Sequence, residues 1–445
     1  MADKPRVIIR RTKEEGVGEK KFRFGVDQVR KDGFSQKVRT YRQKAWEAFN
    51  SLSLPDPKSE SWRRSNLKDF HPDFYKVISE FDKRIEGTER KPEFLGEVTG
   101  RLELGEKKYS RQIDEKAVEK GVVFLGLDDA EVLKSPELDD VIGTIIDPSQ
   151  NIFTAAAGAF ARYGSVICIP EGLVLEKPLN INLNIAGEGK AFFSHHLIHL
   201  QPGSQATIIL ENSEDARDPG VCFHSGLVEI KIEEGAQLNF VELQSMGQTS
   251  WNFGYTRAIL SKDAALDWTV GTTGARFTKN FSSLKLTGEG SHSRISGFYF
   301  SDKNQLIDHE TEQDHLAPHT TSDLLFKGAL KDESQAVWRG MIYVAPQASK
   351  TDGYQANRNL ILSDKAKADS IPGLEILTDD VRCTHGATVG RIDQEQVFYL
   401  ESRGIPRVEA EKLVVEGFFE SVLDRIPLES IRDRFRDAIK RKMSE

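Results

Sequence analysis

From about residue 147 onward the spacing of apolar side chains changes from a period near 3.6 to a period of 2, and it holds for some 230 residues. Val228, Ile230 and Ile232 alternate with Glu229, Lys231 and Glu233, which predicts a strand with one buried and one solvated face. Glu234-Gly235 turns the chain, and Leu238 and Phe240 then alternate with Asn239 and Val241. Leu266, Trp268 and Val270 repeat the device before Gly271-Thr-Thr-Gly274. Leu284 and Leu286 precede Gly288-Glu-Gly290, Ile295 through Phe300 follow, and Pro202-Gly203 separates another pair. The pattern predicts almost no helix here. So long a run of short strands folds as a sandwich, a large barrel or a β-solenoid. No strict repeat selects among the three.

The flanks read differently. Residues 1–25 are rich in Lys, Arg, Glu and Gly and predict a flexible start. From Val26 to about Phe94 the pattern is helical, with Tyr41, Ala45, Ala48 and Phe49 at three- and four-residue spacing. Ser53-Leu-Pro-Asp-Pro57 interrupts it. Val122-Val-Phe-Leu125 predicts a strand and Asp128–Leu133 a short helical turn. After Gln394 the helical period returns. Ala410, Leu413, Val414, Phe418, Val422 and Leu423 form one stripe, and Leu428, Ile431, Phe435 and Ile439 a second beyond Ile426-Pro427. The expected organisation is therefore a mainly helical region over 1–146, a β core over 147–393 and a helical region over 394–445.

Sixty-one basic side chains against 69 acidic ones leave a net charge of −8, which is not the balance of a nucleic-acid binder. No run approaches the roughly 18 apolar residues of a membrane span. Met1-Ala-Asp-Lys-Pro-Arg lacks the apolar core of a secretory signal. Three cysteines, at 168, 222 and 383, form no disulfide framework and suit a reducing cytosol. No Gly-x-x-x-x-Gly-Lys-Ser/Thr loop, no Gly-x-Ser-x-Gly elbow and no Cys-x-x-Cys pair is present. ATP hydrolysis must come from a partner, and the chain alone cannot supply the four thiolates that usually hold an iron–sulfur cluster.

One stretch carries chemistry. Asp379-Asp-Val-Arg-Cys-Thr-His-Gly-Ala-Thr-Val-Gly390 is rich in β-formers and sets Cys383 and His385 two apart, hence on one face of a strand. A thiol and an imidazole on one face can hold iron, zinc or copper, or can handle transferred sulfur. A half-buried strand with a packed Cys satisfies the same spacing. Arg382 and His385 are expected to favour the Cys383 thiolate. Cys168 and Cys222 have apolar neighbours and read as packing residues. His195, His196 and His199 converge poorly on a strand, and His309, His315 and His319 match no standard metal spacing.

The run from Asp379 continues through Arg391-Ile-Asp-Gln-Glu-Gln-Val-Phe-Tyr-Leu-Glu-Ser-Arg-Gly-Ile405, and the whole closely resembles the C-terminal signature of the SufD branch of the SufB/SufD family of iron–sulfur assembly subunits. The likeness extends through Lys350-Thr-Asp-Gly353, Asn357, Asn359-Leu-Ile-Leu362 and Leu374-Glu-Ile376, and back to Ile307-Asp308, Thr311, His315 and Ser322 through Lys327-Gly328. A fainter echo lies in Leu54-Pro55, Glu60, Trp62-Arg63 and Leu67. The resemblance implies a right-handed parallel β-helix core flanked by N-terminal and C-terminal helical regions. It also implies a scaffold that is not catalytic on its own, pairs with a SufB-like subunit and docks a SufC-like ATPase through its C-terminal helices. His385 would then be an iron or cluster ligand and Cys383 a second ligand or sulfur-relay thiol, holding a transient iron–sulfur cluster or iron shared between subunits. A reduced flavin in the assembled complex is a further implication, and a homodimer in isolation stays open. SufB-like chains carry a cysteine roughly where Asn357 stands, so the resemblance favours the SufD branch. Two other readings are a polysaccharide lyase or hydrolase built on a β-helix, and a purely structural solenoid that recruits an ATPase.

Overall fold

The computed structural model describes residues 21–29, 34–78, 97–105, 108–127, 129, 136–214, 219–426 and 428–444. The helical turn expected over Asp128–Leu133 lies, apart from Asp129, outside them. The period-2 region folds as a parallel β-solenoid of about eight turns. Successive strands fall alternately into two ten-stranded sheets. The first sheet ends with Phe277–Leu286, Leu306–His315, Gln335–Val344 and Lys367–Ile376, and the second with His292–Ser301, Thr321–Leu330, Thr351–Ile361 and Val381–Arg391. Pairing is parallel along both sheets except at the N-terminal end, where Gly100–Gly105 pairs antiparallel with Lys108–Ile113 and Val123–Gly126 with Tyr163–Ile169. Strands Lys76–Val77 and Gly100–Gly105 already join the sheets, well before the 147 boundary expected from the change of period.

Stacked rungs bring equivalent positions into columns, and the columns explain the composition of the strands. Phe240, Trp268, Ile295 and Leu324 sit rung on rung along one line of the lumen. Each fills space that its neighbours leave, so removing one to Ala costs ~2–5 kcal/mol. Corners take residues that tolerate a left-handed backbone, such as Gly235 (φ 67°) and Asp263 (φ 53°).

The outer faces are covered too, which period-2 logic did not foresee. Over the first sheet lie α1 (Gln36–Ser51), α3 (Pro136–Val141) and α4 (Ile152–Phe160), while the short α2 (Glu115–Glu119) sets Ala117 against the lumen core at its N-terminal end. Asn151 caps α4 by accepting from the N–H groups of Phe153 and Thr154. Every residue of α4 is buried, so no polar face marks it as a helix, and it falls where almost none was expected. Glu229 is likewise buried instead of solvated. It accepts from the backbone N–H groups of Gly143, Ile145 and Ile146 and bonds His195 at 2.7 Å.

Only Gln36–Ser51 of the helix pattern expected over 26–94 forms a long helix among the described residues. Residues 52–78 are turns, a short 3-10 segment (Pro72–Phe74) and a two-residue strand. They form a strap pinned by side chains. Lys279 Nζ donates to Ser61 O, Asp308 and Glu310 at 2.8, 2.8 and 3.1 Å, and Arg339 donates to Glu310 and Glu60 O. Ser61 and Ser65 hydroxyls donate to Glu310 and Asp308, and Lys279 also lies over the Trp62 ring. The strap wins over helix because its polar groups complete a buried charge cluster that would otherwise lack partners.

The outer face of the second sheet is covered by α6 (Arg407–Leu423) and α7 (Glu429–Ser444), which follow α5 (Gln394–Ser402). The buried side of α6 is Ala410, Val415, Phe419, Val422 and Leu423. Leu413, Val414 and Phe418, expected on that stripe, are turned partly or wholly outward. In α7, Ile431, Phe435 and Ile439 are buried as the spacing predicts.

Candidate functional site

Val381–Arg391 is the last strand of its sheet and is hydrogen-bonded on one side only, to Thr351–Ile361. Its register sets Cys383 opposite Gly353 and His385 opposite Gln355. Both partners lie on lumen columns. The column of Phe240, Trp268, Ile295 and Leu324 continues to Gln355 and ends on His385, while the column through Ser293, Ser322 and Gly353 ends on Cys383. The first of these columns is apolar from Phe240 to Leu324 and turns polar in its last two rungs. The final rung carries the thiol and the imidazole on one face, as the spacing of two predicts.

The two side chains differ in setting. His385 is exposed, with no hydrogen-bond partner among the described residues. Cys383 is half-buried against Ile342, Val344, Ala345 and Ala348. Gly353 packs closely beneath it: a methyl added there would be crowded, at 3.2 Å from Cys383 Sγ, 3.3 Å from Ile342 Cγ2 and 3.5 Å from His315 Nε2. The thiol therefore faces a buried imidazole across a missing side chain.

The expectation of a stabilised thiolate is not met in the single chain. Burial raises the Cys383 pKa, a backbone hydrogen bond from Gly353 lowers it, and Asp352 raises it again. Arg382 points to the other face and is paired with Asp352. Cys168 and Cys222 are buried as expected, and burial pushes the Cys222 thiol up to about 12.

The histidine clusters are satisfied or isolated. His195 bonds Glu229, His196 Nδ1 bonds Ser165 at 3.0 Å, and His199 bonds Glu233 at 3.2 Å. His315 is held by Thr320 and Ser322 at 2.7 and 2.9 Å. His309 is buried between the rings of Tyr299 and Phe326, and burial holds its pKa down at about 3. His319 occupies a left-handed corner (φ 57°). Among the described residues no group of three His, Cys, Asp or Glu side chains is placed to hold a metal ion. Cys383 and His385 share the lumen face at the solenoid's last rung, and among the described residues no third such side chain joins them in a metal-holding group.

Two further features escaped the sequence. The charge cluster of Lys279, Asp308, Glu310 and Arg339 spans three strands and the strap, so only the Trp62-Arg63 echo hinted at it. An apolar row lies exposed on α5 and α6: Phe398 at 71 %, Tyr399 at 56 %, Val408 at 60 % and Leu413 at 46 %.

Residues 183–418 match the model of the SUF system FeS cluster assembly, SufBD core domain, and residues 25–181 match the SufBD protein N-terminal region. The chain is 30% identical over 298 residues to an iron-sulfur cluster assembly SufBD family protein of Mycobacterium tuberculosis, covering 65% of this chain and 74% of that one. It is 33% identical over 290 residues to the iron-sulfur cluster assembly protein SufD of Escherichia coli, covering 64% and 67%. It is 29% identical over 321 residues to the iron-sulfur cluster assembly protein SufB of Bacillus subtilis, covering 70% and 66%.

Proposed function

Because the chain belongs to the SufBD family of SUF-system iron–sulfur cluster assembly proteins, we propose that it is a SufD-like scaffold subunit whose open solenoid end forms half of a cluster-building edge. A role in iron–sulfur cluster assembly follows from the family itself. The observation that carries the finer reading is the pair Cys383 and His385 on the lumen face of an edge strand, with no third ligand beside them among the described residues. Iron–sulfur clusters usually take four ligands. The nascent cluster is cargo, and half a ligand set from each of two chains would hold it weakly enough to release.

A SufB-like partner suits this edge because two unpaired strands, Lys367–Ile376 and Val381–Arg391, end the two sheets side by side. The SufD assignment is supported at Asn357, where the SufB-like cysteine would stand. Its amide donates to the Tyr299 hydroxyl at 3.2 Å inside the lumen. A SufC-like ATPase would supply the hydrolysis for which this chain has no phosphate loop, docking on Phe398, Tyr399, Val408 and Leu413. No helix of the described residues is long and apolar enough to cross a membrane, and the reducing compartment suggested by three free thiols would be the cytoplasm.

The test is co-expression with SufB-like and SufC-like subunits. His385→Ala should leave the complex assembled and lower the iron and sulfide bound per complex. Wild-type cluster content in the assembled variant would remove His385 from the ligand set.

A further inference from the structure

The lumen holds a carboxylic acid that cluster assembly does not use. Glu242 lies on strand Gln237–Ser245, on the lumen face it shares with Leu238 and Phe240, and is partly buried between the two sheets. Its two carboxyl oxygens face Thr256 Oγ1 at 3.3 and 3.2 Å. The indole of Trp268 leans on the same carboxyl, short of full hydrogen-bonding geometry. No Lys or Arg lines the space around it. The titratable groups facing it across the lumen are His196 and His224, both kept neutral by burial with pKa values of about 3 and about 4. His224 is already satisfied by Ser194 and Asn252 at 2.9 and 2.8 Å.

A carboxylate with no counter-charge in such a place is strongly disfavoured, whereas a neutral acid can stay if its proton finds an acceptor. The acceptor side is visible. Beside Glu242 is an internal cavity leaving about 20 Å³ in which the centre of a water molecule can sit. Space of that measure holds one water per ~10–15 Å³. Three side chains lining it carry buried polar atoms without a partner: His196 Nε2, Asn212 Oδ1 and Thr272 Oγ1. Gly226 and Gly254 line the cavity without side chains of their own. An anion would meet no positive charge there. A metal ion would lack the three His, Cys, Asp or Glu ligands it needs. Water both donates and accepts, which suits the orphaned set.

We propose that Glu242 is held as the neutral carboxylic acid and binds a water molecule in this cavity, which carries its hydrogen bonds on to His196, Asn212 and Thr272. Folding the solenoid then fixes one proton at its centre, and raising the pH must either strip that proton or strain the lumen. The central rungs so become a pH-responsive element. Burial, the largest effect, raises the Glu242 pKa to about 7, so the response runs from the unfolded value of ~4.3 up to about 7.

Glu242→Gln keeps the shape and the donor of the neutral acid while removing its titration. The full-length variant should exceed the wild type in Tm by several degrees at about pH 8.5, and that advantage should shrink as the pH falls below about 7 and vanish near pH ~4, below the unfolded Glu value of ~4.3. The buried neutral histidines, His196 and His224 among them, are common to both chains and cancel in the difference. A Tm difference that does not change with pH would overturn the neutral-acid assignment. Crystals of the wild type pressurised with xenon supply a readout independent of any variant. An ordered water retained beside Glu242 supports the site. Xenon in the cavity, as in dry apolar voids, would overturn it.

Discussion

Cys383 and His385 share a strand face yet are prepared for different work. His385 is exposed and unengaged, whereas Cys383 rests on Gly353 above the His315 ring, with its thiol pKa raised by burial. Access, not acidity, should therefore order the thiols. Brief alkylation of the native chain followed by mass mapping should label Cys383 well ahead of Cys168 and Cys222, which are 3 % and 0 % exposed. Equal labelling of all three would show that the end of the solenoid opens no more than its middle. At the charge cluster, Lys279→Ala would leave Asp308 and Glu310 facing each other under the strap. Removing one member of a buried ion pair costs ~3–5 kcal/mol, and denaturant titration should show a loss of that order. A loss below ~1 kcal/mol would mean that the strap lifts and water solvates the acids.

The elements most exposed to error in reading are the helices packed against sheets. The outward side of α5 and α6 presents Phe398, Tyr399, Val408 and Leu413, while Val415, Phe419 and Val422 hold α6 to the second sheet. Truncating the chain before α6 would uncover that sheet, so the docking role is better tested by charge. Leu413→Asp together with Phe398→Asp should abolish binding of a SufC-like ATPase, measured by co-purification, and leave Tm unchanged because both positions are exposed. Retained binding would move the docking site elsewhere. At the strand edges, Ile376→Lys with Val389→Lys sets cations on the two unpaired terminal strands, a device that discourages strand addition. Pairing with a SufB-like subunit should weaken while the ATPase still binds.

For the molecule as a whole, acid is the weak side. His196 and His309 are held at about 3, and His224 and His315 at about 4, each chiefly by burial. Folded pKa values below the unfolded value of ~6.5 mean that the unfolded chain binds protons first as the pH falls. Stability should be full above ~6.5 and drain away between there and the folded values, on the order of 2 kcal/mol per histidine by pH ~5. Glu242 works in the opposite sense but is one group against four. Thermal melts should show Tm dropping steeply below about pH 6, and Tm constant down to about pH 4.5 would contradict the buried neutral histidines.

The period of 2 in Val228–Ile232 and Leu266–Val270 was enough to require strands, and the spacing of two in Cys383-Thr-His385 was enough to require a shared face, because side-chain direction on a strand follows from backbone geometry alone. The SufD-like run added the solenoid, which the strands by themselves left open among three architectures. The α7 stripe of Ile431, Phe435 and Ile439 was legible for a similar local reason. What local pattern could not decide was the second face of everything. Glu229 reads as solvated until the backbone of 143–146 is folded over it, α4 has no polar side to announce it, and α6 is rotated by what it meets on the second sheet. Arg382 looks like a thiolate's neighbour until the register hands it to Asp352. Likewise, the polar end of the lumen exists only because rungs some 30 residues apart stack Leu324, Gln355 and His385 in one column, and stacking is a property of the closed solenoid alone.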